Sequence, residues 1–186
     1  FVEDSAVCFR EGAVMMRPGT PTRLKEPLEM APVLAQFYDD ILWIEAPATI
    51  DGGDVLVTET EVLVGRSART NAEGIAALAK AAATWGYRTR EVITPPGVLH
   101  FKTDCSLLDE HTIYATPLLA GSGCFDGYRV ILTPAGEEAS ANLIRFNDAV
   151  IMPDGFPKAA ARLEREGYKV VRIGNIRRLT ERLARG

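Results

Sequence analysis

Hydrophobic and polar positions repeat one order of elements four times along the chain. Each repeat begins with two short apolar runs separated by a turn, continues with a stretch of helical spacing and ends with a third apolar run. Two short runs joined by a turn indicate a hairpin, so we predict units of strand, strand, helix and strand. The units cover residues of about 1–47, 48–97, 98–135 and 136–174, and the tail 175–186 matches none of them.

The fourth unit shows this pattern most clearly. Strands are predicted over Ala141–Phe146 and Ala149–Met152, with a turn between them. A helix is predicted over Pro157–Glu166, because proline suits a first helical turn and Gly167 suits the end. The strand Lys169–Ile173 closes the unit.

The first unit is predicted in the same way. We expect a short strand over Phe1–Phe9, with Cys8 buried in it, and a helix over about Glu26–Tyr38. The tail Asn175–Gly186 reads as helical and basic. The regular order favours a ring of units over the alternative, an open α/β sheet covered by helices.

Composition and charge limit the function. The 186 residues suit one domain, 1–186, and the net charge of −4 argues against nucleic acid or an anionic membrane as partner. No apolar stretch approaches the ~20 residues of a membrane span. The three cysteines lie far apart and form neither a disulfide framework nor a metal-ligand cluster, so we expect a cytoplasmic protein. The chain begins at Phe1 rather than at Met, and we expect it to be a fragment.

Two segments carry residues suited to acid–base chemistry. His100 lies between two units, and a histidine can exchange protons near neutral pH. Asp51 and Asp54 flank two glycines, which let the backbone approach a ligand closely. The alternatives are a structural histidine and a turn whose aspartates cap backbone amides. His111 lies in a predicted turn and is expected to be exposed.

Acids and arginines occupy equivalent places in successive units. Glu3 and Asp4 stand at the start of the first unit, and Arg23 and Arg69 lie in the loops after the second strand of the first two units. Carboxylates bind a guanidinium through paired contacts, and an arginine fork binds a carboxylate in the same way. Although each residue alone is as well explained by solvent exposure, together they indicate an amino-acid ligand such as arginine.

Six motifs in fixed order give the sequence a resemblance that covers Phe1 to about Gly174. The chain resembles the dimethylarginine dimethylaminohydrolases, which are members of the amidinotransferase/arginine deiminase superfamily. The motifs are Phe1–Asp4, Arg17–Gly19 with Arg23 beyond it, Ile44–Pro47 followed by Asp51–Asp54, Ser67–Asn71, Leu99–Thr103 and Val150–Pro153.

The resemblance implies a five-bladed α/β-propeller (pentein) fold that this sequence, with four units, leaves incomplete at both ends. It implies hydrolysis of dimethylarginine to citrulline and dimethylamine through a covalent cysteine intermediate, with no metal and no cofactor. His100 is then the general acid and base, Asp51 the carboxylate that works with it, and Asp54 a supporting residue. Substrate-binding positions fall on Glu3 and Asp4 at the guanidinium end, and on Arg23 and Arg69 at the carboxylate end.

The sequence departs from the family at the nucleophile. The family places its cysteine close to the C-terminus after a glycine-rich turn, and by spacing this residue would fall about where the chain stops. Cys105 does not match that position, so no cysteine is assigned. The alternatives are therefore an arginine deiminase or amidinotransferase, and a catalytically dead protein that binds arginine-like ligands or a partner. Lys102 favours the methylarginine enzyme, because deiminases usually carry an aspartate there. An edge left open by a missing blade would favour a homodimer.

Overall fold

A computed structural model describes residues 2–174, and it divides the chain into two compact units, residues 1–102 and 103–186. Four three-stranded sheets are formed by the described residues, two in each unit. In every sheet the second strand is central, pairing antiparallel with the first and parallel with the third. The predicted order of strand, strand, helix and strand is therefore confirmed in all four repeats.

The first compact unit holds the first two repeats. Its elements are β1 (Ala6–Cys8), β2 (Ala13–Met15), α1 (Glu26–Leu34), β3 (Ile41–Trp43), β4 (Val55–Val57), β5 (Glu61–Arg66), α2 (Ala72–Ala83) and β6 (Arg88–Ile93). Its core is mostly aliphatic and includes Val14, Ile50, Val62 and Leu78, which are fully buried. Since parallel strands need a crossover between them, each helix connects the second strand of its repeat to the third.

The helix α2 begins directly after Asn71, whose side chain caps it. The Oδ1 atom of Asn71 accepts hydrogen bonds from the amides of Gly74 at 2.7 Å and Thr49 at 2.9 Å. The first bond caps the helix, and the second ties its start to the preceding loop. This loop leads directly into Asp51, so the cap helps to fix the segment that carries the predicted site.

The second compact unit holds the last two repeats. Its elements are β7 (Cys105–Asp109), β8 (Thr112–Ala115), α3 (Pro117–Ala120), β9 (Arg129–Leu132), β10 (Ile144–Phe146), β11 (Ala149–Pro153), α4 (Pro157–Arg165) and β12 (Lys169–Ile173). Tyr114, Met152 and Leu163 are fully buried in its core. The amides of Lys158 and Ala159 donate to the buried carboxylate of Glu137, which caps α4 from another segment.

The strand predicted over Ala141–Phe146 covers only Ile144–Phe146, because Ala141 ends a 3₁₀ turn. Three local predictions for the first repeat were wrong. The segment predicted as a strand over Phe1–Phe9 contains a 3₁₀ turn at Val2–Asp4 and a strand of only three residues. Cys8 is exposed, because neighbouring side chains alternate across β1 and Val7 takes the buried face. The helix predicted to reach Tyr38 ends at Leu34, soon after Pro32, which has no amide to continue the hydrogen-bond ladder.

The structure tests neither of the two remaining predictions, the helical tail and the single domain. The helical tail 175–186 lies outside the described residues, and the single domain 1–186 stays a prediction. No helix in the part of the chain that the structure describes is long and apolar enough to cross a membrane.

Candidate active site

Three short 3₁₀ turns bring the predicted acidic and histidine residues together. Asp4 ends the turn Val2–Asp4, Asp51 immediately precedes the turn Gly52–Asp54, and His100 immediately precedes the turn Phe101–Thr103. The first two turns pack so closely that a Cβ atom on Gly52 would lie 2.0 Å from the carbonyl oxygen of Glu3. The site is thus built from the segments that lead into each repeat, not from the strands themselves.

Asp51 is the centre of the site. Its side chain is fully buried, and its Oδ1 atom accepts a hydrogen bond from the Gly19 amide at 3.0 Å. Three cationic or titratable groups converge on its Oδ2 atom: His100 Nε2 at 3.3 Å, Arg69 Nη1 at 3.7 Å and Arg23 Nη1 at 3.9 Å. We call Asp4, Arg23, Asp51, Arg69 and His100 the site cluster.

Asp51 and His100 shift each other's pKa. Burial raises the pKa of Asp51, but hydrogen bonds from His100 and Gly19 and the nearby charges outweigh it and leave that pKa below its usual value. The hydrogen bond to Asp51 raises the pKa of His100, against the opposing effect of burial. Near neutral pH the imidazole is therefore more readily protonated than a free histidine, which suits a group that must deliver a proton.

Asp4 and Arg23 form the second pair of the cluster. Asp4 is almost fully buried, and its Oδ1 atom accepts from the Gly53 amide at 2.9 Å while its Oδ2 atom accepts from Arg23 Nη1 at 2.9 Å. The remaining edge of the Arg23 guanidinium donates to Glu26, from Nε to Oε1 at 2.8 Å and from Nη2 to Oε2 at 2.6 Å. These carboxylates, Glu26 first, raise the pKa of Arg23. The arginine is a fixed positive charge between two acids.

Asp54 holds together the segments that carry the site cluster. Its Oδ2 atom accepts from Ser67 Oγ at 2.6 Å and Thr70 Oγ1 at 2.7 Å, and its Oδ1 atom accepts from the Phe101 amide at 2.9 Å. Thr70 Oγ1 also accepts from the Asp51 amide at 3.2 Å. The carboxylate therefore links the turn after His100 to the loop that holds Arg69, which fits the supporting role expected for it.

Glu3 is not brought into the cluster. Its carboxylate is half-exposed and pairs with Lys102, with 3.1 Å between Lys102 Nζ and Glu3 Oε2. Its backbone, by contrast, packs directly against Gly52. The substrate contact expected of the Glu3 side chain stays a prediction.

The three cysteines have different surroundings. Cys8 is exposed at the end of β1, Cys105 is buried at the start of β7, and the half-buried Cys124 lies with its Sγ atom 3.7 Å from the carbonyl oxygen of Leu119. Cys105 and Cys124 belong to the second compact unit and the site cluster to the first. We assign the nucleophile to none of them.

The cluster also contains the residue types that ligate metals. Asp4, Asp51 and His100 each offer one ligand atom, and these atoms lie within 4.8 Å of one another. Their separation of 47 to 49 positions is why the sequence showed no metal-type spacing. Arg23, Arg69 and His100 already stand beside the two carboxylates, so a bound metal would have to displace protein cations or share the acids with them.

Sequence reasoning missed two residues that shape the cluster. Glu26 binds Arg23 through two hydrogen bonds, and the Gly19 amide binds Asp51. The first had a signal, since an acid three positions after an arginine at a helix start can meet it on one face. The second depends on backbone geometry, for which residue type gives no signal.

Comparison with known proteins identifies the family. The sequence model of the arginine deiminase family matches residues 1–184. The N(G),N(G)-dimethylarginine dimethylaminohydrolase of Pseudomonas aeruginosa is 32% identical over 174 residues, which are 93% of this chain and 68% of that protein. The enzyme of the same name from Streptomyces coelicolor is 32% identical over 183 residues, which are 96% of this chain and 69% of that enzyme.

Solved structures agree with the sequence comparison. A cysteine-to-serine mutant of the Pseudomonas aeruginosa enzyme in complex with citrulline matches with a TM-score of 0.89 and 32% identity, over 94% of this chain and 68% of that one. The α/β-propeller (pentein) class expected from the resemblance is thereby confirmed. The chain belongs to the arginine deiminase family, with dimethylarginine dimethylaminohydrolases among its relatives.

Proposed function

We propose that the protein hydrolyses N,N-dimethylarginine to citrulline and dimethylamine through a covalent cysteine intermediate. The observation that carries the proposal is the convergence of His100, Arg23 and Arg69 on Asp51, with Asp4 beside them, in a relative of dimethylarginine dimethylaminohydrolases. A guanidinium is cationic and stabilised by resonance, so it needs carboxylates to hold it and a strong nucleophile to attack it. The cluster supplies the carboxylates and a proton carrier.

Asp4 is assigned to the guanidinium end of the substrate. It is buried, its Oδ1 atom is fixed by the Gly53 amide, and its Oδ2 atom already accepts from a guanidinium, that of Arg23. A buried carboxylate fixed in this way needs little reorganisation to bind the substrate, which favours binding in a single orientation. Arg69 is assigned to the substrate's carboxylate, because its side chain is 35% exposed whereas that of Arg23 is 15% exposed.

His100 is assigned both proton transfers. In the first step a thiolate attacks the guanidinium carbon, the bond to the dimethylated nitrogen breaks, and protonated His100 gives its proton to the leaving dimethylamine. In the second step neutral His100 takes one proton from a water molecule, whose oxygen attacks the carbon of the thiouronium intermediate. The carbon–sulfur bond then breaks, the thiolate leaves, and the second water proton passes to solvent as citrulline forms. Asp51 stabilises the imidazolium and orients the ring through Nε2.

The thiolate is not assigned to any of the three cysteines of this sequence. Cationic groups near the cluster, namely protonated His100 and the two arginines, would favour its ionised form. The proposal needs neither a metal nor another cofactor, because the cationic guanidinium itself is the electrophile.

The test is turnover by the full-length gene product with N,N-dimethylarginine or arginine as substrate. We expect citrulline and dimethylamine in equal amounts from dimethylarginine, and at least about tenfold lower kcat/KM with arginine, as one pocket contact can discriminate by 1–3 kcal/mol. Efficient release of citrulline and ammonia from arginine would instead support the deiminase alternative. Binding of either compound without turnover would support the non-catalytic alternative.

Two less specific proposals concern the setting of the protein. We propose a cytoplasmic location, for which the wide spacing of the cysteines is the support. We also propose a homodimer. Its support is the apolar side of α1 and the segment after it, where Leu28, Val33 and Phe37 are exposed.

A further inference from the structure

Two hydroxyl groups of the loop after β5 bind the same oxygen atom of Asp54. Ser67 Oγ donates to Asp54 Oδ2 at 2.6 Å, and Thr70 Oγ1 donates to it at 2.7 Å. A hydroxyl has one hydrogen to donate, so each group can hold a further part of the site only by accepting hydrogen bonds. The bonds that each hydroxyl accepts therefore show which part of the site it holds.

The two hydroxyls accept from different segments. Thr70 Oγ1 accepts from the Asp51 amide at 3.2 Å, which joins it to the residue whose carboxylate contacts His100. Ser67 Oγ accepts from the Arg69 amide at 3.1 Å and from the Thr70 amide at 3.2 Å, within its own loop. Thr70 is thus bound to the acid–base pair, and Ser67 to the arginine assigned to the substrate's carboxylate.

Burial makes these contacts costly to lose. Thr70, Asp51 and Asp54 are all buried, and a buried polar group left without a partner destabilises a protein more than one that water can reach. The loop also packs closely against Gly19, where a Cβ atom would lie 2.6 Å from the Arg69 carbonyl oxygen. The positions of Arg69 and Asp51 therefore depend on the geometry of this loop.

We propose that Thr70 and Ser67 are positioning residues with separate effects, a proposal that rests on the function given above. Thr70 holds the Asp51 backbone so that the carboxylate meets His100, and it therefore acts on the proton transfers. Ser67 holds the Arg69 backbone, and it therefore acts on the binding of the substrate's α-carboxylate. The shared acceptor joins the two hydroxyls, but the further contacts of each one determine the step that it serves.

The test measures kcat and KM for N,N-dimethylarginine with the full-length gene product and with the variants Thr70→Val and Ser67→Ala. We expect Thr70→Val to lower kcat about tenfold and to change KM less than about twofold, because a small displacement of a catalytic group is costly. We expect Ser67→Ala to raise KM about fivefold and to change kcat less than about twofold, because a displaced arginine loses part of a charge-assisted contact that binds substrate and transition state alike.

The decarboxylated analogue of dimethylarginine separates the contact with the carboxylate from a general loosening of the site. It has the same guanidinium but no carboxylate, so calorimetry should give Kd values for wild type and Ser67→Ala that agree within about twofold. A Kd raised as much as the KM for dimethylarginine would contradict the role given to Ser67.

Two further variants show whether the hydroxyl of Thr70 is the group that matters. Thr70→Ser keeps the hydroxyl, so its kcat should stay within about threefold of wild type. Thr89→Val is the matched control on β6, because Thr89 Oγ1 is buried without a hydrogen-bond partner among the described residues. It should change neither kcat nor KM. Thermal unfolding shows beforehand which variants fold.

The outcomes separate this inference from the proposed function. If wild-type protein hydrolyses dimethylarginine and the two variants change kcat and KM alike, or change neither, the inference is overturned and the proposed function stands. A folded Thr70→Ser protein with kcat about tenfold below wild type would also overturn it, even where Thr70→Val does not fold. If wild-type protein does not act on dimethylarginine, the proposed function fails and the inference fails with it.

Discussion

Replacing His100 with glutamine is expected to lower kcat for dimethylarginine by at least ~100-fold, because a positioned acid–base group contributes about 10²–10⁴-fold. Glutamine can still place a polar atom near Asp51, but it cannot carry a proton at neutral pH. Binding of dimethylarginine should change only a few-fold, since Asp4 and the two arginines remain. The assay is citrulline release by the full-length gene product. His111→Gln is the control, as His111 is exposed in the turn after β7.

The same variant tests the raised pKa of His100. A raised pKa stabilises the folded protein below the ordinary histidine value of 6.5, and this contribution is lost as the pH rises through the folded pKa. The lowered pKa of Asp51 stabilises the folded protein above its ordinary value of 3.8, and this contribution is lost as the pH falls through the pKa of the folded state. The difference in free energy of unfolding between wild type and His100→Gln should therefore be largest between about pH 4 and 6.5 and shrink toward pH 9.

Urea unfolding at pH 5.5 and at pH 9 measures this difference. A difference of the same size at both pH values would contradict the assigned pairing of His100 with Asp51. Retained turnover in His100→Gln would contradict its role in catalysis, whatever the stability shows.

The variant Gly52→Ala is expected to destabilise the protein by about 3 kcal/mol, because an added methyl group in a packed site costs 1–3 kcal/mol and here it meets backbone. The new Cβ would lie 2.0 Å from the Glu3 carbonyl oxygen and 3.3 Å from Asp4 Cα, and neither atom can move without moving the Val2–Asp4 turn. Displacing that turn breaks the bond from the Gly53 amide to Asp4. Weaker binding of dimethylarginine should therefore accompany the loss of stability.

Gly174→Ala is the matched control, since an added Cβ there meets no atom within 4 Å. Its unfolding free energy should lie within about 0.5 kcal/mol of wild type, as is usual at open surface positions. Chemical denaturation of both variants gives the comparison. A Gly52→Ala protein as stable as the control would show that the first two turns do not pack as described.

The repeat could be predicted because its signals are local. Apolar runs of strand length, the proline at the start of α4 and the glycine after its end each mark an element within a few residues. The predictions failed where contacts between residues far apart in the sequence determine the local structure. Val2–Asp4 is a turn and not a strand, because Asp4 is buried against Gly53, 49 positions away.

The site was less accessible to sequence reasoning than the fold. Asp51 and His100 are 49 positions apart, and only the family resemblance paired them before the structure placed their side chains 3.3 Å apart. The resemblance also puts Glu3 on the substrate, which stays a prediction, and the pairing of its carboxylate with Lys102 could not be read from the sequence. Residue type shows that an acid is present at a position, but the direction in which its side chain points depends on the turn that carries it.

A crystal structure of the full-length gene product with citrulline bound tests the central claim most directly, namely that the site cluster binds the reacting end of an arginine derivative. The account predicts the citrulline ureido group within hydrogen-bond distance of Asp4, close to His100, and its carboxylate on Arg69. Citrulline bound elsewhere, or in the reverse orientation with its carboxylate toward Asp4, would contradict the account.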